Sequence, residues 1–135
     1  MTSTLKQDST IVSNILQINI RKDDFLKAIS TVVGALSSKA TLPILNNILV
    51  ETINPDEITI TGTDLELGIK THCDASVLLK GSVTIPAKKL YEIVREIPSG
   101  DIEVTVGKNN AVNIKTAKSF FKIMGLEAED FPKLP

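Results

Sequence analysis

The chain of 135 residues has no tryptophan, one cysteine and one histidine, and aromatic side chains make up only 4% of it. A lone thiol, Cys73, excludes an internal disulfide and any cysteine-rich zinc site, and it suits a reducing compartment. No apolar run approaches the roughly 18 residues that suggest a membrane span, and the start of the chain lacks the basic-then-apolar order of a signal peptide. These absences predict a soluble, cytoplasmic protein. An excess of positive charge is missing too: 15 Lys and Arg stand against 16 Asp and Glu, for a formal net charge of −1. That balance argues against a free-standing nucleic-acid binder, whose cations must neutralise phosphates.

Catalytic groups are equally scarce. His72 falls mid-strand on the polar register and Cys73 on the opposite face, so the adjacent pair is not a nucleophile with its base. Asp64 and Glu66 lie near a strand junction without the remaining ligands of a cation-binding loop. The Thr61-Gly62-Thr63-Asp64 turn has one glycine and no following Gly-Lys-Ser/Thr, which excludes a phosphate cradle of the P-loop kind. The sequence therefore predicts no catalytic residue, no metal and no cofactor.

What is present is aliphatic. A hydrophobic fraction of 42% with so few aromatics requires a core of Ile, Val and Leu, and the length suits one domain that buries about two thirds of its unfolded surface. Residues 1–13, rich in Ser and Thr, have little to bury and read as a mobile tail. From Leu16, the alternation of Leu16, Ile18 and Ile20 with Gln17, Asn19 and Arg21 predicts a strand with one buried face. A helix follows, with Phe25, Ile29, Val32, Val33 and Leu36 at three- and four-residue steps, Asp23 and Asp24 in its first turn, and an end near Ser37 and Ser38. Residues 48–53 and 58–63 read as two strands around an Asn54-Pro55-Asp56 turn, and Leu65, Leu67, Ile69, Thr71 and Cys73 alternate as a third.

After Lys80 and Gly81 the order repeats. Residues 82–85 read as a strand, Pro86 opens a helix with Leu90, Ile93, Val94 and Ile97 on its buried side, and Pro98-Ser99-Gly100 stops it. Three strands follow, marked by Ile102, Val104 and Val106, by Val112 and Ile114, and by Phe121 and Ile123. Each half is thus strand, helix, three strands, an α+β duplication of a β-α-β-β-β unit. Two amphipathic helices cannot cover both faces of such sheets, so both are expected on one side, with their polar faces turned the same way.

Four stretches in this order carry a resemblance: Thr41-Leu42-Pro43-Ile44-Leu45-Asn46-Asn47-Ile48-Leu49, Ile58-Thr59-Ile60-Thr61-Gly62-Thr63-Asp64-Leu65-Glu66, Thr84-Ile85-Pro86-Ala87-Lys88-Lys89-Leu90 and Glu129-Asp130-Phe131-Pro132-Lys133-Leu134. From about Leu16 onward the chain resembles the first domain of the bacterial sliding clamps, the β subunits of the replicative DNA polymerase. The resemblance implies a DNA-clamp fold with helices lining a central hole and sheets on the rim. It divides the chain into a tail at 1–13, clamp domain 1 at 14–128, and the start of a connector to a second domain at 129–135, about one third of a clamp subunit in all.

The resemblance also assigns roles. A clamp encircles duplex DNA without reading sequence and confers processivity without catalysis. Such a ring is held by topology, so a nearly neutral chain suffices if a few cations face the hole. Lys39, in the loop after the first helix, and Lys88 match basic, DNA-contacting positions of the family; Lys27 and Arg95 join them on the exposed helix faces. Read from the residues alone, the second face is an ordinary solvated one, with Lys88 and Glu92 paired at i, i+4; the resemblance is what turns it toward DNA. The strand around Phe121 and Ile123 is either plain core or an apolar docking edge. In the family the matching segment pairs with the last domain of a neighbouring subunit, which implies Phe121 and Ile123 at the subunit interface and Lys118 as a basic rim residue. Phe120 stands where the family often has a charge. The expected partners are double-stranded DNA, a second clamp subunit, and the polymerase and clamp loader through later domains. Two rival readings are an α+β interaction scaffold that uses the apolar edge without DNA, and an enzyme built on Asp64 and Glu66.

Overall fold

The computed structural model describes residues 14–35 and 43–133. Among these residues eight strands and two helices follow the duplicated order, with a short ninth strand between the halves. The first half holds β1 (Asn14–Arg21), α1 (Lys22–Ala35), β2 (Asn47–Asn54), β3 (Glu57–Thr63) and β4 (Gly68–Asp74), with a short 3-10 turn at Pro43–Asn46. After β5 (Ser76–Leu79), the second half holds β6 (Ser82–Pro86), α2 (Ala87–Glu96), β7 (Asp101–Gly107), β8 (Ala111–Lys115) and β9 (Phe120–Met124). The α+β class and the doubled unit stand as the sequence predicted.

All pairings between strands are antiparallel, in two sheets of order β5-β1-β7-β8-β9 and β4-β3-β2-β6. The halves are interlocked. β1 of the first half completes the sheet of β7, β8 and β9, and β6 of the second half completes the sheet of β2, β3 and β4. Beyond each hairpin pair the chain crosses over in the same manner. After β4 it enters β5, which pairs with β1, and after β9 it reaches Leu126, which pairs with Thr84 of β6. Even the hydrogen bonds correspond: Ala75 N–H donates to the Asp56 carbonyl in the turn after β2, and Gly125 N–H to the Asn110 carbonyl in the turn after β7.

One core serves both halves. It joins Leu16, Ile18 and Ile20 of β1, Ile58 and Ile60 of β3, Ile85 of β6, and Val104, Val112 and Ile114 to the apolar stripes of both helices. Burying each such side chain contributes about 1.5–3 kcal/mol. A buried polar clasp closes the crossover after β9: the Asn47 side-chain amide donates to Thr84 Oγ1 at 3.0 Å, and that hydroxyl donates to the Leu126 carbonyl at 3.0 Å. Gly125 sits in the same junction, where a Cβ would come within 2.5 Å of the Thr84 carbonyl oxygen.

Two sequence expectations change, and a third is not reached by the described residues. Leu65 and Leu67 do not belong to β4, which begins at Gly68. The Asp64 carboxylate accepts hydrogen bonds from the N–H groups of Glu66 and Leu67, Thr63 Oγ1 donates to the Leu67 carbonyl, and the turn so built leaves both leucines exposed, with Leu65 at φ 79°. β5 was not anticipated, since four residues with Leu78 turned outward carry little pattern. The expected end of α1, with Leu36, falls outside the described residues.

Cys73 is buried, and burial with the nearby carboxylates of Asp24 and Asp74 pushes its thiol up to about 12. Three pH units against the ordinary value of 9.0 suppress the thiolate roughly a thousandfold, so alkylation of the folded chain at pH 8 is expected to lag the denatured chain by about that factor. Because the folded value lies above the unfolded one, the stabilisation it carries is complete below pH 9 and is lost as pH rises toward 12. Equal labelling rates in folded and denatured protein would contradict this. Replacing Thr84 by Val takes the hydroxyl partner from the buried Asn47 amide, while the Leu126 carbonyl keeps the backbone N–H of residue 84; urea titration should show a loss of about 1–3 kcal/mol.

Candidate nucleic-acid interface and subunit edge

The two helices lie side by side and touch. Apolar residues recur on one face of each, Phe25, Ala28, Ile29 and Val32 on α1 and Leu90 and Val94 on α2, so each helix is pinned to the sheets by that stripe. What remains outside is polar. Asp23, Lys27, Thr31 and Gly34 are exposed on α1, and Lys88, Lys89, Glu92, Arg95 and Glu96 on α2. The hydroxyls of Ser30 and Thr31 donate back to the carbonyls of Leu26 and Lys27, and Lys27 is the exposed cation of α1.

On α2 the Lys88–Glu92 pair of an ordinary solvated face does not form. Among the described residues the ion contacts are Arg95 with Glu96 at 3.9 Å and His72 Nδ1 with Glu57 at 3.2 Å, so the Lys88 ammonium has no carboxylate partner there. The Arg95 guanidinium instead lies 5.5 Å from the centroid of the Tyr91 ring. Lys39 falls outside the described residues. Lys27 of α1 and Lys88 and Arg95 of α2 are thus exposed on two helices that touch.

At the other end of the larger sheet, β9 is the last strand. A tight turn precedes it: Thr116 N–H donates to the Ser119 carbonyl, and Thr116 Oγ1 accepts from the N–H groups of Lys118 and Ser119. Lys118 is held exposed in that turn. Phe121, opposite Ile114, is half-buried, and Ile123, opposite Val112, is only 4% exposed. Both lie against the domain's own core, so the side chains that β9 presents outward are Phe120, Lys122 and Met124, with Phe120 61% and Met124 55% exposed. Residues 111–126 contain three lysines and no acid. Sequence reasoning named the inward pair; the register of β8 against β9 distinguishes the two faces.

The doubling gives β4 the place in the smaller sheet that β9 has in the larger, each the last strand of its own half and an end strand of its sheet, with β6 and β5 at the opposite ends. Among the described residues β4 and β9 are therefore corresponding edge strands.

The arrangement has few means of chemistry. Cys73 is held as the thiol, His72 is exposed beside Glu57, and the Asp64 carboxylate supports its own turn. No group of three metal-ligating side chains occurs among the described residues, and no helix there is long and apolar enough to cross a membrane.

Comparison with known proteins agrees with this geometry. The family model for the DNA polymerase III beta subunit, N-terminal domain, matches residues 16–135. The Beta sliding clamp of Synechocystis is 35% identical over 127 residues, covering 89% of this chain and 32% of that protein, and the one from Haemophilus influenzae is 36% identical over 121 residues, covering 88% and 32%. Among solved structures, a Caulobacter crescentus beta sliding clamp superposes with a TM-score of 0.83 at 32% identity, and a DNA polymerase III beta subunit from Eubacterium rectale with 0.84 at 30%; each likeness covers 89% of this chain and 32% of the other. The chain spans about a third of the length of these relatives. A doubled β-α-β-β-β unit, paired helices and a match over nearly the whole sequence place this chain in the DNA polymerase III beta subunit family, as its N-terminal domain.

Proposed function

We propose that this domain forms one arc of a replication clamp, a ring that encircles duplex DNA and keeps the replicative polymerase on it. The observation that carries the reading is the pair of adjacent helices with Lys27, Lys88 and Arg95 on their exposed faces, opposite the stripes that hold them to the sheets. These cations, with Lys39, meet phosphates of the threaded duplex loosely. Phosphate contacts position a protein without reading bases, and lysines meet them as point charges. Shallow contact suits a ring that slides, and closure of the ring, rather than affinity, prevents escape.

β9 supplies one side of the subunit joint by edge-to-edge pairing with a neighbouring subunit's last domain. Phe121 and Ile123 back the joint from within the core; Lys118 and Lys122 meet acids on the partner. By the correspondence of the halves, β4 faces the next domain of the same subunit. The domain is non-catalytic, and the polymerase and clamp loader engage later domains of a cytoplasmic assembly. A scaffold that never meets DNA accounts for the β9 edge but gives the helix faces no task.

An NMR titration of the chain with a short duplex at low ionic strength tests the helix assignment. Shifts are expected along α1 and α2, and charge reversal at Lys27 or Lys88 should weaken binding and flatten the slope of log K against log salt by about 0.9 each. Binding that is indifferent to both reversals would contradict the assignment.

A further inference from the structure

We infer that Tyr91 is a positioning residue for DNA contact, its ring holding the Arg95 guanidinium on the helix face beside Lys88. The inference rests on the DNA-facing reading of α2. Arg95 follows Tyr91 by four residues, one turn along the helix, and side chains on a helix lean toward its N-terminus, so Arg95 folds back over the ring. The contact is a cation–π pair, at 5.5 Å from guanidinium to ring centroid. Tyr91 is itself anchored, half-buried and packed against the core, whereas Arg95 is exposed.

Geometry gives the pair its value. Lys88 and Arg95 are seven residues apart, which separates their backbone positions by roughly 10 Å along the axis. An arginine reaching freely into solvent samples a wide arc. Laid over Tyr91, the guanidinium is held back along the helix in the direction of Lys88, with one terminal nitrogen still 3.9 Å from Glu96. The two cations then address one stretch of backbone phosphates. Holding the side chain there in advance also removes part of the ordering cost that a long, flexible group incurs on binding.

A double-mutant cycle on the chain, read by NMR titration with a short duplex at low salt, tests this. Tyr91→Leu is expected to weaken binding roughly two- to fivefold, in line with an exposed cation–π contact, Arg95→Gln to weaken it at least as much, and the double variant to be no weaker than Arg95→Gln alone. Tyr91→Phe keeps the ring and should bind as the parent does. Without DNA, the upfield ring-current shift of the Arg95 side-chain protons should survive in Tyr91→Phe and vanish in Tyr91→Leu. Additive losses, or a Tyr91→Phe variant as weak as Tyr91→Leu, would overturn the inference while leaving the helix face intact. Indifference of binding to both Lys88→Glu and Arg95→Gln would instead remove the reading on which it rests.

Discussion

Neither half of this chain can bury its apolar surface alone. A unit of one helix and a few strands has too little core to stand, and the solution is exchange: β1 completes the sheet of the second half and β6 that of the first. Single substitutions in the shared core therefore act on both sheets. The same exchange fixes the helices, because each lies where it meets strands of both sheets, and α1 and α2 are set against each other there. The crossovers at β5 and Leu126 then tie the sheets together at corresponding corners.

Function follows from what this packing leaves uncovered. Helices committed to the sheets by one stripe turn their other faces outward as a pair, and strands committed to the core by alternate residues leave a backbone edge at each end of the doubled unit. A polar double-helix face and two open strand edges are the parts an arc of a ring requires. Their energetics differ by design: the edges can build a continuous ladder of hydrogen bonds, while the helix face has only a few separated cations in a chain of net charge −1. Strong joints and weak grip are compatible with a ring that closes firmly and slides freely.

Much of this was legible in the residues. Period-two alternation located β1, β3 and β7 and the buried faces of β1 and β7, and the stripes of Phe25 and Ile29 and of Leu90 and Val94 located both helices; in β3 the threonine register is buried as well as the isoleucines. The failures have physical causes. Alternation ran unbroken through Leu65 and Leu67, yet a side-chain-built turn at Asp64 interrupts the strand there, and nothing in a leucine signals a positive φ. β5 is too short to show a period, and its counterpart after β9 is a single bridge. Around Phe120 and Phe121 both registers are apolar, so only the pairing of Phe121 with Ile114 decides which face turns inward. The stacking of Arg95 on Tyr91 was implicit in their four-residue spacing but drowned among the charges around it.

The account stands on the helix pair as the side that meets DNA. A duplex carrying a nitroxide label, mixed with the chain at low salt, tests that claim most directly through paramagnetic broadening of backbone amides. Broadening concentrated on α1 and α2, with the amides of β7 and β8 spared, is the predicted result; broadening centred on β7 and β8, with the helices untouched, would contradict it.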